Sequence, residues 1–171
     1  LTWCIGPPLL ESFKTLLNDA SLAEQGLALY RERFGTVGLY ENEVYPGIPD
    51  LLTACREAGH RLFVATSKPT VYAVQILDHF DLSAYFEAIC GSELDGTRSD
   101  KTELLRWVLA EHRIDAASAT MIGDRRHDII GARNNGLRAI GVTYGYGSRE
   151  ELTMAGAEIV VERVRALPSI V

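Results

Sequence analysis

A chain of 171 residues, 47% hydrophobic and 23% charged, has the size and apolar content of one compact globular unit with a two-sided core. Its net charge of −6, with no block of like sign, argues against a nucleic-acid partner, and there is neither an apolar run of membrane-spanning length nor a signal-peptide pattern. Cys4, Cys55 and Cys90 lie at scattered spacings without a C-x-x-C, as expected for reduced thiols in a cytoplasmic protein. Oligomeric state is not legible at this level.

Residues 1 to about 45 read as helical. Leu9, Leu10, Phe13, Leu16 and Leu17 recur at helical spacing. Ser21-Leu22-Ala23-Glu24 has the form of a capping box, Leu27, Tyr30 and Phe34 continue one face, and Gly35 is a natural stop. The chain opens at Leu1 in mid-pattern, so its true beginning is expected upstream. Pro46-Gly47-Ile48-Pro49 then punctuates, and the pattern changes to alternating helices and strands. Leu51–Ala58 is a short helix closed by Gly59. Arg61–Ala65 carries a continuous apolar run, Leu62-Phe63-Val64-Ala65, suited to a strand buried on both faces. Thr70–Phe80 is helical, with Pro69 at its start. Phe86–Cys90 is a strand, Thr102–His112 an amphipathic helix, and Ala119–Ile122 a strand. Ile129–Asn135 is a helix ended by Gly136, and Arg138–Val142 a strand. Ser148 caps a further helix, and Glu158–Val161 is a strand at the edge. Such alternation predicts an α/β fold, a parallel sheet in three layers with right-handed crossovers.

Ligands of such sheets bind beyond the carboxyl ends of the strands. There the chain offers Thr66-Ser67-Lys68, then Asp100-Lys101, then Gly123-Asp124, then Thr143 to Gly147. Asp124 ends a strand, and Asp128, four residues on, falls in the first turn of the next helix. Two carboxylates so placed suit Mg2+, which keeps most of its waters and takes one or two protein oxygens plus a phosphate. Thr66 offers a hydroxyl and an amide in a loop that opens a helix, and Lys101 adds a full positive charge near a helix N-terminus. Each group also has a plainer role: Thr66 and Asp124 as helix caps, Lys101 as a solvated cation, Asp128 as a partner of the helix dipole or an orienting group. Ser67 and Lys68 either touch substrate or are solvated. His127 reads as a surface residue, and His60, His79 and His112 lack metal-ligand spacing. Gly145 and Gly147 read as turn formers, since no Lys-Ser/Thr follows them.

Taken together, these stretches resemble the haloacid dehalogenase superfamily. Phe63-Val64-Ala65-Thr66 is similar to its second motif, Lys101 to its third-motif lysine, and Gly123-Asp124-Arg125-Arg126-His127-Asp128 to its fourth, G-D-x-x-x-D. The likeness is closest to phosphoglycolate-phosphatase-like members and extends to Cys4-Ile5-Gly6-Pro7-Pro8-Leu9, Tyr45-Pro46-Gly47 and Gly145-Tyr146-Gly147-Ser148. The resemblance implies a Rossmann-like core over residues 46–171 and part of a helical cap over residues 1–45. It implies a Mg2+-dependent phosphatase of a small phosphorylated metabolite, working through an aspartyl-phosphate. Thr66, Lys101 and Asp124 would be catalytic. Thr66, Ser67, Lys68 and Lys101 would bind substrate, and Asp124 and Asp128 would serve the metal.

The first motif of that superfamily, D-x-D-G-T on an apolar strand, is absent. Asp95-Gly96-Thr97 follows the wrong strand and is rejected as nucleophile. The resemblance therefore places the nucleophilic aspartate upstream of Leu1 and predicts a gap in the sheet. Two other readings stay open: a non-catalytic phosphate-binding or interaction module with the same fold, and a phosphoacceptor receiver domain. The second is disfavoured because Thr66 and Lys101 precede Asp124. Within the enzyme reading, phosphoglycolate, a nucleoside 5′-monophosphate, a sugar phosphate, or mutase chemistry would all use the same core.

Overall fold

Before any strand forms, the chain folds helically. In the computed structural model, which describes residues 1–6 and 9–170, a 3-10 turn at Thr2–Cys4 precedes α1 (Leu9–Leu17) and α2 (Ala20–Thr36). Pro7 and Pro8 of the Gly-Pro-Pro stretch lie outside the described residues. The expected box at Ser21 is displaced by two residues. Asn18 turns the chain at φ 50°, and the Asp19 carboxylate takes the Leu22 amide at 3.0 Å, which puts Ser21 inside the helix. Gly35 does not stop α2, which runs on to Thr36.

After α3 (Ile48–Glu57) come β1 (Phe63–Pro69), α4 (Thr70–His79), β2 (Ala88–Ser92) and α5 (Lys101–Glu111). Then follow β3 (Thr120–Gly123), α6 (Arg126–Asn134), β4 (Arg138–Val142), α7 (Arg149–Ala155) and β5 (Ile159–Val161), with a closing 3-10 turn at Val164–Ser169. Every pairing is parallel. The layers follow from β4, whose side chains alternate. Ile140 and Val142 pack on Leu51 and Cys55 of α3 and on Val164 and Leu167. Ala139 packs on the opposite side with Leu105, Ile129 and Leu152 from α5, α6 and α7.

The strands form two separate ladders, β2–β1 and β3–β4–β5. Among the described residues no ladder joins β1 to β3, so the sheet is broken into two halves, a gap of the kind the resemblance implies. Helix α5 spans the break. Its Leu104 and Val108 pack with Cys90 of β2, its Leu105 packs with Ile129 and Ala139, and Ala65 of β1 touches both clusters. All three cysteines are free thiols, Cys55 and Cys90 buried. Among the described residues no helix is long and apolar enough to cross a membrane.

Candidate active site

The sequence ends the first strand at Ala65, but β1 continues to Pro69. Its register with β2 is regular from Phe63 to Ala65 and then slips, with Pro69 next opposite Ser92. Thr66, Ser67 and Lys68 therefore sit in an irregular strand end rather than in a loop opening a helix, a device that re-aims side chains at sheet edges. Side chains pin this end to β2. The Ser92 hydroxyl donates to the Ser67 carbonyl at 3.0 Å, and the Thr70 hydroxyl accepts from the Gly91 amide at 3.1 Å. A Cβ on Gly91 would lie 2.3 Å from the Lys68 carbonyl oxygen, so only glycine allows this close approach. The Thr66 Oγ1 accepts from the Lys68 amide at 3.1 Å, which leaves its hydroxyl proton to donate elsewhere.

Lys101 opens α5 behind the cap Asp100, whose carboxylate accepts the Glu103 amide at 3.0 Å. It is not solvated: only 8% of it is exposed. Its ammonium reaches across the break in the sheet, donating to the Ala65 carbonyl at 2.8 Å and pairing with Asp128 Oδ1 at 2.9 Å. The other Asp128 oxygen accepts the Arg125 amide at 3.1 Å and so caps α6. Glycines make room for this pair. A Cβ on Gly123 would be 2.2 Å from Asp128 Cβ, and one on Gly131 would be 2.7 Å from Lys101 Cγ.

Asp124 stands at the end of β3. Its Oδ2 accepts the Tyr146 amide at 2.8 Å, and among the described residues its Oδ1 makes no protein hydrogen bond. Gly145 and Gly147 are not simply turn formers. A Cβ on Gly145 would fall 2.3 Å from Asp124 Oδ2, and one on Gly147 would fall 2.0 Å from the Asp124 carbonyl. The loop after β4 thus closes directly on this aspartate. The donor set suits a hard cation: one oxygen of Asp124 is held and the other is open, in a cradle too tight for any side chain at 145. Among the described residues no group of three acidic, histidine or cysteine side chains could hold a metal by itself. A cation here would keep waters or take further oxygens, the habit of Mg2+.

Tyr144 lies beside Asp124, its ring 5.3 Å from that of Tyr45. Burial, with the Asp124 charge adding to it, pushes the phenol up to about 12. Because the folded value lies above the unfolded one, the stability Tyr144 contributes is complete below the ordinary phenol range. It is lost as pH rises through about 12. Alkaline titration followed by tyrosinate absorbance is expected to show a late-ionising component that Tyr144→Phe removes; an unchanged curve would place this phenol in water.

The structure brings Lys101 and Asp128 into contact and sets Thr66 one residue beyond the Ala65 carbonyl that Lys101 holds, with Asp124 four residues before Asp128. The Lys68 ammonium lies 4.4 Å over the Phe34 ring of α2, and burial lowers its pKa. His127 is half-buried rather than on the surface, and burial depresses its pKa. Sequence reading passed over Arg125 and Glu151. Glu151 Oε1 accepts from Arg125 Nε and from the Arg126 amide, both at 2.9 Å. The apolar spacing that finds helices carries no signal for such a bond between α6 and α7.

A family model described as haloacid dehalogenase-like hydrolase matches residues 1–142. A 5′-nucleotidase of Pseudomonas aeruginosa is 52% identical over 86% of this chain and 67% of its own length. The tyrosine-protein kinase PtkA of Mycobacterium tuberculosis is 36% identical over 93% of this chain, which spans only 54% of that protein. A phosphoglycolate phosphatase of Vibrio parahaemolyticus is 27% identical over 98% of this chain and 74% of its own. The crystal structure of a predicted phosphatase from Clostridium acetobutylicum superposes with a TM-score of 0.94 at 47% identity, covering 98% of this chain and 78% of that one.

Proposed function

The chain belongs to the haloacid dehalogenase-like hydrolases, and from that premise we propose that it is a Mg2+-dependent, cytoplasmic phosphatase of small phosphomonoesters. The observation that carries this reading is Lys101, which ties the Ala65 carbonyl to Asp128 across the break between β1 and β3. Buried ammonium, open carboxylate and hydroxyl all border one gap in a parallel sheet. In this reading a further strand fills the gap, and a nucleophilic aspartate at the end of that strand would meet all three groups.

In this reading the aspartate attacks phosphorus as the ester P–O bond breaks, the second aspartate of the D-x-D motif gives its proton to the leaving oxygen, and water then attacks the aspartyl-phosphate to release inorganic phosphate and the free carboxylate. Thr66 binds a phosphoryl oxygen. Lys101 offsets the charge of nucleophile and phosphate. Asp124 would hold Mg2+, which would supply positive charge to offset that of the phosphate. Asp128 sets the direction of Lys101 and would help orient the surroundings of such a metal. Residues 1–45 form part of a cap over the core of residues 46–171. Lys68, at the joint between them, and Ser67 lie on the substrate side.

A nucleoside 5′-monophosphate is favoured over phosphoglycolate as substrate, because the 52% identical relative is a 5′-nucleotidase whereas the phosphoglycolate phosphatase is 27% identical. A protein that includes the additional strand is expected to release phosphate from AMP more efficiently than from phosphoglycolate. EDTA should abolish both activities and Mg2+ should restore them. Residues 1–171 alone are expected to show no turnover. Mg2+-dependent hydrolysis by residues 1–171 would overturn the placement of the nucleophile. No hydrolysis with the strand present would favour a non-catalytic phosphate-binding module.

A further inference from the structure

Arg125 is an arginine withdrawn from water, only 9% exposed, and its bonds among the described residues reach beyond its own helix. Its Nε pairs with Glu151 of α7 at 2.9 Å. The same Glu151 oxygen takes the Arg126 amide at 2.9 Å, so α7 clamps the first turn of α6. From the other end of the guanidinium, Nη1 donates to the Ile5 carbonyl, in the segment that leads into the helical region. Gly6, at φ +109°, lets that segment pass over the arginine stem; a Cβ there would lie 3.2 Å from Arg125 Cγ. The backbone amide of Arg125 meanwhile holds Asp128 Oδ2 at 3.1 Å, and Asp128 holds Lys101.

These bonds form one continuous path: Ile5 carbonyl, Arg125, Asp128, Lys101, Ala65 carbonyl. Asp124 is bonded to Arg125 through the chain itself. We propose that Arg125 is a positioning residue that couples the segment entering the helical region to the Asp124 loop and the Lys101–Asp128 pair. Movement of residues 1–6 then shifts the metal-facing aspartate, and occupation of that loop restrains residues 1–6. The planar fork is what permits this. It reaches Glu151 and the Ile5 carbonyl in fixed directions, which a lysine ammonium on a flexible stem does not. The inference rests on the reading of Asp124 as the metal-holding group.

Coupling is reciprocal, so it can be read from either end. With MgCl2 and inorganic phosphate as probes, amide exchange at Cys4, Ile5 and Gly6 is expected to slow roughly tenfold in the wild-type protein. In Arg125→Lys that slowing is expected to disappear while Mg2+ still raises the melting temperature. A residue that merely stabilised the fold would lower the melting temperature and leave the Mg2+-dependent slowing in place. From the other end, Gly6→Ala is expected to weaken Mg2+ binding by a similar factor, which keeps the proposal testable if Arg125→Lys does not fold. Slowing retained in Arg125→Lys, or wild-type Mg2+ affinity in Gly6→Ala, would overturn the coupling. Mg2+ raising the wild-type melting temperature without slowing exchange at residues 4–6 would overturn it too. If Mg2+ leaves the wild-type melting temperature unchanged, the metal reading itself falls and the coupling falls with it.

Discussion

Replacing Lys101 by alanine is expected to lower phosphoryl transfer by roughly 10²–10³-fold, the usual cost of deleting one preorganised group that stabilises developing negative charge. The geometry adds a second effect. Lys101 and Asp128 are a buried pair 2.9 Å apart, and truncating the lysine leaves a carboxylate with little water and one amide. Such stranded charges destabilise proteins by about 3–5 kcal/mol. The single variant is therefore expected to be both slow and unstable, and stability alone would not identify a catalytic role. The double variant Lys101→Met/Asp128→Asn separates the two. With neither charge of this pair left, it is expected to regain most of the stability in denaturant titration while remaining as slow as the single variant. Activity within a few-fold of wild type in either variant would mean that the ammonium serves the fold alone.

Gly145→Ala is expected to damage the proposed metal site with only moderate loss of stability. The added methyl would lie 2.3 Å from Asp124 Oδ2 and 2.4 Å from Asp124 Cβ, separations that atoms cannot occupy. Asp124 has little freedom to retreat, because Gly147 already brings the chain against its carbonyl. Displacing a group that sets a metal ligand typically lowers affinity 10–100-fold, and overpacking costs about 1–3 kcal/mol. Calorimetric Mg2+ titration should show the first and thermal unfolding the second. Gly35→Ala is the control. The nearest atoms to its Cβ are those of Tyr72 at 3.6 Å, an ordinary contact, and alanine suits the last turn of α2 at least as well as glycine. Equal losses of Mg2+ affinity in the two variants would dissolve the argument that the loop after β4 is shaped around Asp124.

Much of the candidate site was legible because its chemistry is written in short stretches. A strand followed by Gly123-Asp124, with Asp128 one helical turn on, places two carboxylates at a sheet edge by local geometry alone. The same holds for Lys101 behind its cap Asp100. What the sequence could not supply were relations between segments far apart along the chain. Nothing near Lys101 says that its ammonium meets Asp128, 27 residues later, or that a carbonyl of β1 completes its shell. Nothing near Gly145 says that an aspartate 21 residues earlier lies where a side chain would go. Element ends were misjudged where two local signals competed, as when Asp19 took the cap offered to Ser21, and where pairing with β2 carried β1 on to Pro69.

By itself the sequence determined the alternation of helices and strands, the parallel sheet that alternation requires, and the carboxyl edge at which Thr66, Lys101 and Asp124 emerge. Periodicity and capping are local, and they act through residues a few positions apart. Only the tertiary structure decided how those groups are bonded to one another, that Lys68 faces Phe34, and that Arg125 joins Ile5 to Glu151. Those choices depend on packing and on satisfying buried charge across the whole fold, and burial is a property that no stretch of sequence possesses until the rest of the chain surrounds it.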